Sequence, residues 1–119
     1  MVSALRPQYS ALISVLERAG FTCVLQDYRP DDFGNFVALC SSPNSRVRIT
    51  NDRGQIFVDV ATLSGPWNNK EEILESIGIP RERHETLNGL WSGYEPAVQA
   101  SELERYLAQL IAVVSNGAA

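Results

Sequence analysis

The chain has 119 residues, 45% hydrophobic and 20% charged, which is ordinary for one globular domain spanning residues 1–119 around a single core. Its 14 acidic and 10 basic residues give a net charge of −4, and the basic residues form no run, so nucleic acid and anionic membrane are poor partners. No apolar stretch approaches the roughly 18 residues of a membrane span, and the N-terminus lacks a signal-peptide pattern, so we expect a cytoplasmic protein.

The first predicted element is a helix over residues 3–19. Ser3 is placed to cap it, Pro7 fits its first turn, and Gly20 follows its last turn as a stop. Its apolar residues recur at helical spacing and form one stripe, which is suited to covering a sheet: Leu5, Tyr9, Leu12, Ile13 and Leu16.

Strand patterns follow the helix. Alternating or apolar runs at Phe21–Asp27 and Asn35–Ser41 predict two strands, separated by a loop over residues 28–34 and followed by a turn over residues 42–45. A hairpin at Arg46–Ala61 adds two more strands. Because every connection is short, the four strands are expected to form an antiparallel meander.

The hairpin surrounds the turn sequence Asn-Asp-Arg-Gly at residues 51–54. A four-residue loop there places the apolar side chains on one face, whereas a slip of one residue would turn them to the other. This register predicts four cross-strand pairs: Val47 with Val58, Ile49 with Ile56, Arg46 with Asp59, and Arg48 with Phe57.

Two further helices are predicted after the sheet. The first is capped by Asn68 or Asn69, with a glutamate completing a capping box, and it ends at Gly78 in a Schellman motif that brings Ile79 to Leu74. Its glutamate is Glu71 or Glu72, and its buried stripe is Ile73, Leu74 and Ile77.

The last helix is predicted to begin with a capping box of Ser101 and Glu104 and to end at Asn116 and Gly117. Residues 80–100 before it fit either a loop or a short helix. The stripe of the last helix is wide: Leu103, Tyr106, Leu107, Leu110, Ile111 and Val114. The predicted fold is therefore α+β, a four-stranded antiparallel meander with N-terminal, middle and C-terminal helices packed mainly on one face.

The two cysteines, Cys23 and Cys40, both fall inside predicted strands, and pairing of those strands would bring them close. The favoured interpretation is two buried, reduced thiols that act as small hydrophobic groups. Neither has a second ligand at zinc-site spacing, and the single histidine, His84, is distant along the chain. We expect no metal and no cofactor.

No catalytic constellation is predicted. His84 lies between two glutamates in a polar stretch with no evident nucleophile, which favours a solvated histidine over a general base. Asp27, Asp31 and Asp32 cluster around one loop without calcium-loop spacing. They fit a solvated acidic loop, a contact surface for a cationic partner, or a magnesium-binding carboxylate pair, in that order.

Three aromatic residues, Trp67, Trp91 and Tyr94, fit no periodic stripe. Tryptophan and tyrosine are favoured at protein interfaces because they bury a large area and keep a polar tip, although each tryptophan also fits the core. The candidate partner-binding residues are Asp27, Tyr28, Asp31, Asp32, Trp67, Trp91, Tyr94 and Glu95.

Three segments together carry a family resemblance. They are the run Asp-Arg-Gly-Gln-Ile-Phe-Val-Asp-Val at residues 52–60, the Gly-Pro-Trp sequence that leads into an acidic helix, and the closing amphipathic helix. The chain resembles small cytoplasmic immunity proteins of bacterial polymorphic-toxin and contact-dependent growth inhibition systems. That resemblance implies a non-enzymatic protein, a monomer or one partner of a one-to-one complex, that blocks the active site of a cognate toxin. The toxin in such systems is often a basic nuclease. The resemblance is one of architecture and transfers no residue by position.

Two alternatives stay open. The chain also resembles type III secretion chaperones in its size and acidity, which implies a homodimer that holds an effector segment. The third hypothesis is a small enzyme that uses His84 or the cluster of Asp27, Asp31 and Asp32. Oligomeric state separates the first two hypotheses, and loss of an activity on replacement of His84 would support the third.

Overall fold

The computed structural model describes residues 5–31, 34–79 and 95–117. Within them the α+β class is confirmed, and the antiparallel sheet has five strands in chain order rather than four. The additional strand is the two-residue β5, which pairs with β4. The elements are α1 (Pro7–Arg18), β1 (Thr22–Arg29), β2 (Asn35–Ser41), β3 (Ser45–Asp52), β4 (Gln55–Thr62), β5 (Asn68–Asn69), α2 (Lys70–Ser76) and α3 (Pro96–Ser115).

The core lies between one face of the sheet and the helices. The five apolar residues of the predicted stripe are all buried, four of them on α1 and Leu5 just before it. The helix begins at Pro7 with Arg6 as N-cap, and Ser3 lies outside the described residues. Gly20 ends the helix as predicted, with a positive φ of 95°. The Phe21 N–H donates to the Leu16 carbonyl at 3.0 Å, which completes a Schellman motif.

The predicted register of the β3–β4 hairpin is wrong by two residues. Its turn contains only Arg53 and Gly54, with φ values of 55° and 89°, as a tight two-residue hairpin turn requires. Asn51 belongs to the strand and is buried, where its side chain accepts from the Gly54 N–H at 2.9 Å. The observed pairs are Val47 with Val60, Ile49 with Val58, Arg46 with Ala61, and Arg48 with Asp59.

A bulge in β1 changes which side chains share a face. Leu25 pairs with Ala38, but the next pair is Asp27 with Val37, so one extra residue is inserted at Gln26. As a result Asp27 lies on the face opposite to the core. Tyr28 points to the core side, where it packs half-buried against the apolar cluster.

The second helix is capped as predicted. The Asn69 side chain accepts from the backbone N–H groups of Glu71 and Glu72 at 3.0 and 3.3 Å. The Ile79 N–H donates to the Leu74 carbonyl at 2.9 Å, which confirms the Schellman end. Ile77 was expected in the buried stripe but is 39% exposed, because the helix ends at Ser76 and Ile77 is its C-cap.

The last helix begins earlier than predicted. Pro96 occupies its first turn and Glu95 is the N-cap, so Ser101 and Glu104 lie inside the helix and form no capping box at its start. Of its predicted stripe, Leu103, Leu110 and Val114 are buried, and the remaining residues are half-buried against the core. Residues 80–94 lie outside the described part of the chain.

The expectation of two reduced thiols is wrong. Cys23 lies directly opposite Cys40 in the β1–β2 pairing, with their Cα atoms 4.0 Å apart, and a disulfide joins them. Across the described ranges, no group of three metal-ligating side chains is placed to hold a metal ion. No helix in those ranges has the length and apolar character needed to cross a membrane.

Candidate functional site

The described helices pack on one face of the sheet and leave the other face uncovered. Alternation along the strands places on this second face, called the open face below, a mixture of apolar and charged side chains. Val24 at its edge is 51% exposed. The residues that define the open face are Val24, Asp27, Val37, Leu39, Arg46, Arg48, Thr50, Phe57 and Asp59, together with Trp67 beside them.

Two arginines hold the ring of Trp67. The guanidinium carbons of Arg46 and Arg48 lie 4.5 and 4.6 Å from the ring centroid, within the range of a cation–π interaction. Arg48 also donates from Nε and Nη2 to the Asp59 carboxylate at 3.2 and 2.9 Å. The half-buried tryptophan ring is therefore held in place by contacts with charged side chains.

The turn between β4 and β5 positions this group. Arg46 donates from Nε to the Thr62 carbonyl at 2.9 Å and from Nη2 to the Gly65 carbonyl at 2.8 Å. The Gly65 N–H donates to the Thr62 hydroxyl at 3.0 Å. A Cβ atom on Gly65 would lie 2.4 Å from that hydroxyl oxygen, so the tight turn favours glycine. Pro66 then leads directly to Trp67.

The opposite end of the open face is rich in exposed carboxylates. Asp27 forms an ion pair with Arg29 at 3.3 Å, and both side chains are more than half exposed. Asp52, the last residue of β3, and Asp31, two residues beyond the end of β1, are exposed nearby. A shallow cavity of about 300 Å³ lies here, lined by Asp27, Arg29, Asn35, Val37, Thr50 and Asp52.

The predicted partner-binding residues are distributed over several surfaces. Asp27 of β1 and Trp67, which contacts Arg46 and Arg48 of β3, share the open face, with β2 between those two strands. Tyr28 lies on the core side, and Glu95 is exposed at the start of α3. Asp32, Trp91 and Tyr94 lie outside the described residues, as does His84.

Sequence reasoning did not predict the partners of Trp67 or a buried ionic cluster between α2 and α3. Lys70, the only lysine of the chain, is fully buried. Its Nζ donates to Oε1 of Glu71 and to Oε1 of Glu102, at 2.5 Å each. Gln99 donates to the same Glu71 oxygen at 3.3 Å. A signal was present, because Gln99 and Glu102 interrupt the apolar stripe of α3 at helical spacing from Leu103 and Tyr106.

The two glutamates of this cluster differ in proton affinity. Burial raises the pKa of Glu102, and the neighbouring Glu71 carboxyl raises it further, while Lys70 opposes both effects. Burial also favours a higher pKa for Glu71. The hydrogen bond and positive charge of Lys70 outweigh burial, and contacts with Gln99 and Glu102 add to their effect, so the pKa of Glu71 is lowered. Lys70 contacts both carboxyl groups at the same distance, and the Gln99 amide adds a further donor to Glu71.

The chain matches no family model, no curated protein and no solved structure. Three features of the described residues therefore carry the functional argument. They are the tryptophan held by arginines, the carboxylates at the other end of the open face, and the buried cluster.

Proposed function

We propose that the protein is a non-enzymatic binding module that docks a folded protein on its open face. We further propose that this partner is a cognate bacterial toxin, which the protein neutralises by covering its active site. The observation that carries the proposal is Trp67, held by Arg46 and Arg48 on a sheet face that the described helices leave uncovered.

The chemistry of this group suits a protein interface. Tryptophan and arginine are enriched among residues that dominate binding energy, because they bury a large area and combine apolar with polar contact. Trp67 is held by Arg46 and Arg48, and Arg48 in turn by Asp59, so little side-chain freedom remains to be lost on binding. Val37, Leu39 and Phe57 supply adjoining apolar surface on the same face.

Charge favours a basic partner at the other end of the face. The exposed carboxylates of Asp27, Asp31 and Asp52 outnumber the guanidinium groups of Arg29 and Arg53 there, and the whole chain carries a charge of −4. A nuclease toxin has a basic surface that binds phosphate, and carboxylates complement such a surface. Electrostatic attraction would then speed capture, while desolvation of Trp67 would slow release.

One observation favours a second function, that of a homodimeric secretion chaperone. An apolar groove of about 210 Å³ runs between α1 and α3, lined by Val15, Ala19, Leu103 and Leu107 and flanked by Arg18 and Glu104. An apolar groove between helices suits an extended peptide or a second copy of the chain. The enzyme hypothesis receives no such support from the described residues, since His84 and Asp32 lie outside them.

The proposed compartment is the cytoplasm, where immunity proteins of this kind act. The Cys23–Cys40 disulfide opposes that proposal, because reducing conditions keep most cytoplasmic thiols free. The redox state of these two residues in living cells therefore tests the compartment separately from the interface.

The function is tested by capture and neutralisation. Three tagged proteins are purified from the host: the wild type, Trp67→Ala and the control Ile77→Ala. The control alters an exposed apolar residue on the helix side. Proteins bound to each are identified by mass spectrometry. Each captured protein is then produced alone and together with the wild type in a growth assay.

We expect one partner that inhibits growth alone, is silenced by the wild type and forms a one-to-one complex by native mass spectrometry. Trp67→Ala should weaken binding by about 2 kcal/mol, or about 30-fold in Kd, and Ile77→Ala should not. A homodimer that carries an effector fragment would instead establish the chaperone function. Equal binding by a folded Trp67→Ala variant would remove the open face as the interface.

A further inference from the structure

The buried cluster between α2 and α3 contains more negative than positive charge if all its groups are ionised. Lys70 supplies one ammonium group, whereas Glu71 and Glu102 supply two carboxyl groups. The three residues are at most 5% exposed, so water cannot balance the difference. A buried charge without a partner is strongly unfavourable, and a carboxyl group in that position takes up a proton instead.

The contacts indicate which carboxyl group holds the proton. Glu71 accepts from Lys70 and from the Gln99 amide, so its charge is well compensated. Glu102 accepts from the same Lys70 ammonium group, which brings the two carboxyl groups close together. Two carboxyl groups can share a hydrogen bond only if one of them carries a proton, because ionised carboxylates have acceptors alone. Glu102, with fewer donors around it, is the better site.

We propose that Glu102 is a protonated carboxylic acid at neutral pH and that its proton fastens α3 to α2 as a pH-sensitive latch. With this proton the cluster of Lys70, Glu71 and Glu102 is neutral in total. The proton of Glu102 donates toward Glu71, Lys70 donates to both carboxyl groups, and no ionised group is left uncompensated. The latch joins residues 32 positions apart in the chain.

Two charged groups among the described residues act on Glu102, namely those of Lys70 and Glu71. On α2 the groups that act on Glu102 are Lys70 and Glu71, and on α3 its neighbour Gln99 is uncharged. Asp59 of β4 is bonded to Arg48 on the open face. Arg18 of α1 lines the groove beside Glu104 instead. Among the described residues, Lys70 and Glu71 are therefore the charges that set the behaviour of the latch.

The latch weakens in one direction of pH. Burial raises the pKa of Glu102, so the folded protein retains this proton at pH values where the unfolded chain has lost it. The stabilising contribution is complete below the ordinary glutamate pKa and is lost as pH rises through the raised pKa. Mild alkali should therefore loosen α2 from α3, whereas mild acid should not.

Two measurements test the proposal. In the first, carboxyl carbon NMR on the wild-type protein follows the Glu102 side chain through a pH titration. We expect Glu102 to remain protonated at neutral pH and to ionise well above the ordinary glutamate range. A Glu102 signal that is already ionised at neutral pH would overturn the proposal, whatever the behaviour of any variant.

In the second, the thermal midpoint is compared between neutral pH and about pH 9, below the range in which lysine and tyrosine side chains ordinarily titrate. The thermal midpoint of the wild type should fall by about 4 °C or more between neutral pH and this higher pH. Glu102→Gln, which resembles the protonated acid, should lose less than half as much. The matched control Glu104→Gln, an exposed acid two positions along the same helix, should behave as the wild type. Equal losses in all three proteins would contradict the latch, and a Glu102→Gln variant that fails to fold would leave the NMR titration decisive.

Discussion

Arg48 lies directly across from Asp59 in the β3–β4 hairpin, and its Nη2 is 2.9 Å from the Asp59 carboxylate. The Asp59 side chain is 17% exposed, so water screens this pair less than most surface ion pairs. The same guanidinium group faces Trp67 at 4.6 Å. Arg48 therefore contacts both the Asp59 carboxylate of the neighbouring strand and the ring of Trp67 on the open face.

The first prediction concerns the strength of that pair. A double-mutant cycle with Arg48→Ala and Asp59→Ala should give a coupling energy of about 0.5–1 kcal/mol, measured by urea unfolding. The control cycle with Arg29→Ala and Asp27→Ala should give a coupling near zero, because both of those side chains are more than half exposed. Equal couplings in the two cycles would show that burial does not strengthen the Arg48–Asp59 pair.

The second prediction concerns electrostatic capture of the partner. If the proposed toxin binds here, charge reversal by Asp27→Lys and Asp31→Lys should slow its association about 10-fold at low ionic strength and much less at high salt. The thermal midpoint should hardly change, because both residues are exposed. Stopped-flow mixing measures the association rate, and Glu104→Lys on the helix side is the control. A fall of many degrees in the midpoint would mean that these aspartates are structural.

The third prediction concerns the buried lysine. Lys70→Met removes the cation and leaves Glu71 and Glu102 buried together, which should lower the free energy of unfolding at neutral pH by about 3–5 kcal/mol. Without Lys70, burial raises the pKa of both glutamates, so much of the lost stability should return as the pH falls toward their ordinary range. Urea unfolding at neutral and mildly acidic pH measures both effects. The exposed neighbour change Glu72→Gln serves as control, and a pH-independent loss would contradict this account.

The fourth prediction concerns the disulfide. The cysteines are 17 residues apart, and closing a loop of that size is expected to stabilise the fold by about 3 kcal/mol. A reductant should therefore lower the free energy of unfolding of the wild type by about this amount, and it should have no effect on the double variant Cys23→Ala, Cys40→Ala. Alkylation of intact cells before lysis shows whether the bond exists in the native compartment. Rapid labelling of both thiols there would support the cytoplasm.

Local physical rules predicted much of the fold. The stripe of α1, the stop at Gly20, the cap at Asn69 and the end at Gly78 each depend on neighbours within a few residues, so the sequence was sufficient for them. The hairpin register was not predictable in the same way. A slip of two residues leaves every side chain on its original face, so the burial argument cannot distinguish the two registers. The register is instead determined by the two-residue turn, in which Arg53 and Gly54 both have positive φ values.

The site was predicted only in part, for a related reason. Trp67 stood out because it fits no periodic stripe, but its contacts with Arg46 and Arg48 depend on the compact turn at Thr62–Gly65, which brings distant residues together. The contact between Lys70 and Glu102 spans 32 positions and depends on how α3 lies against α2. No local pattern specifies such a contact.

The order of the sheet has a consequence for how the chain is made. Each strand pairs with the next one in sequence, so the loops to be closed are short and the sheet should assemble quickly, before α3 has been synthesised. Helix α3 contributes Leu103 and Leu110 to the core only after it has followed the sheet out of the ribosome. Until then part of the inner sheet face is bare, and a nascent chain should need protection from its neighbours. A chain that stops before Pro96 should therefore expose apolar surface and aggregate during expression, whereas a stable truncated monomer would show that the sheet needs no such cover.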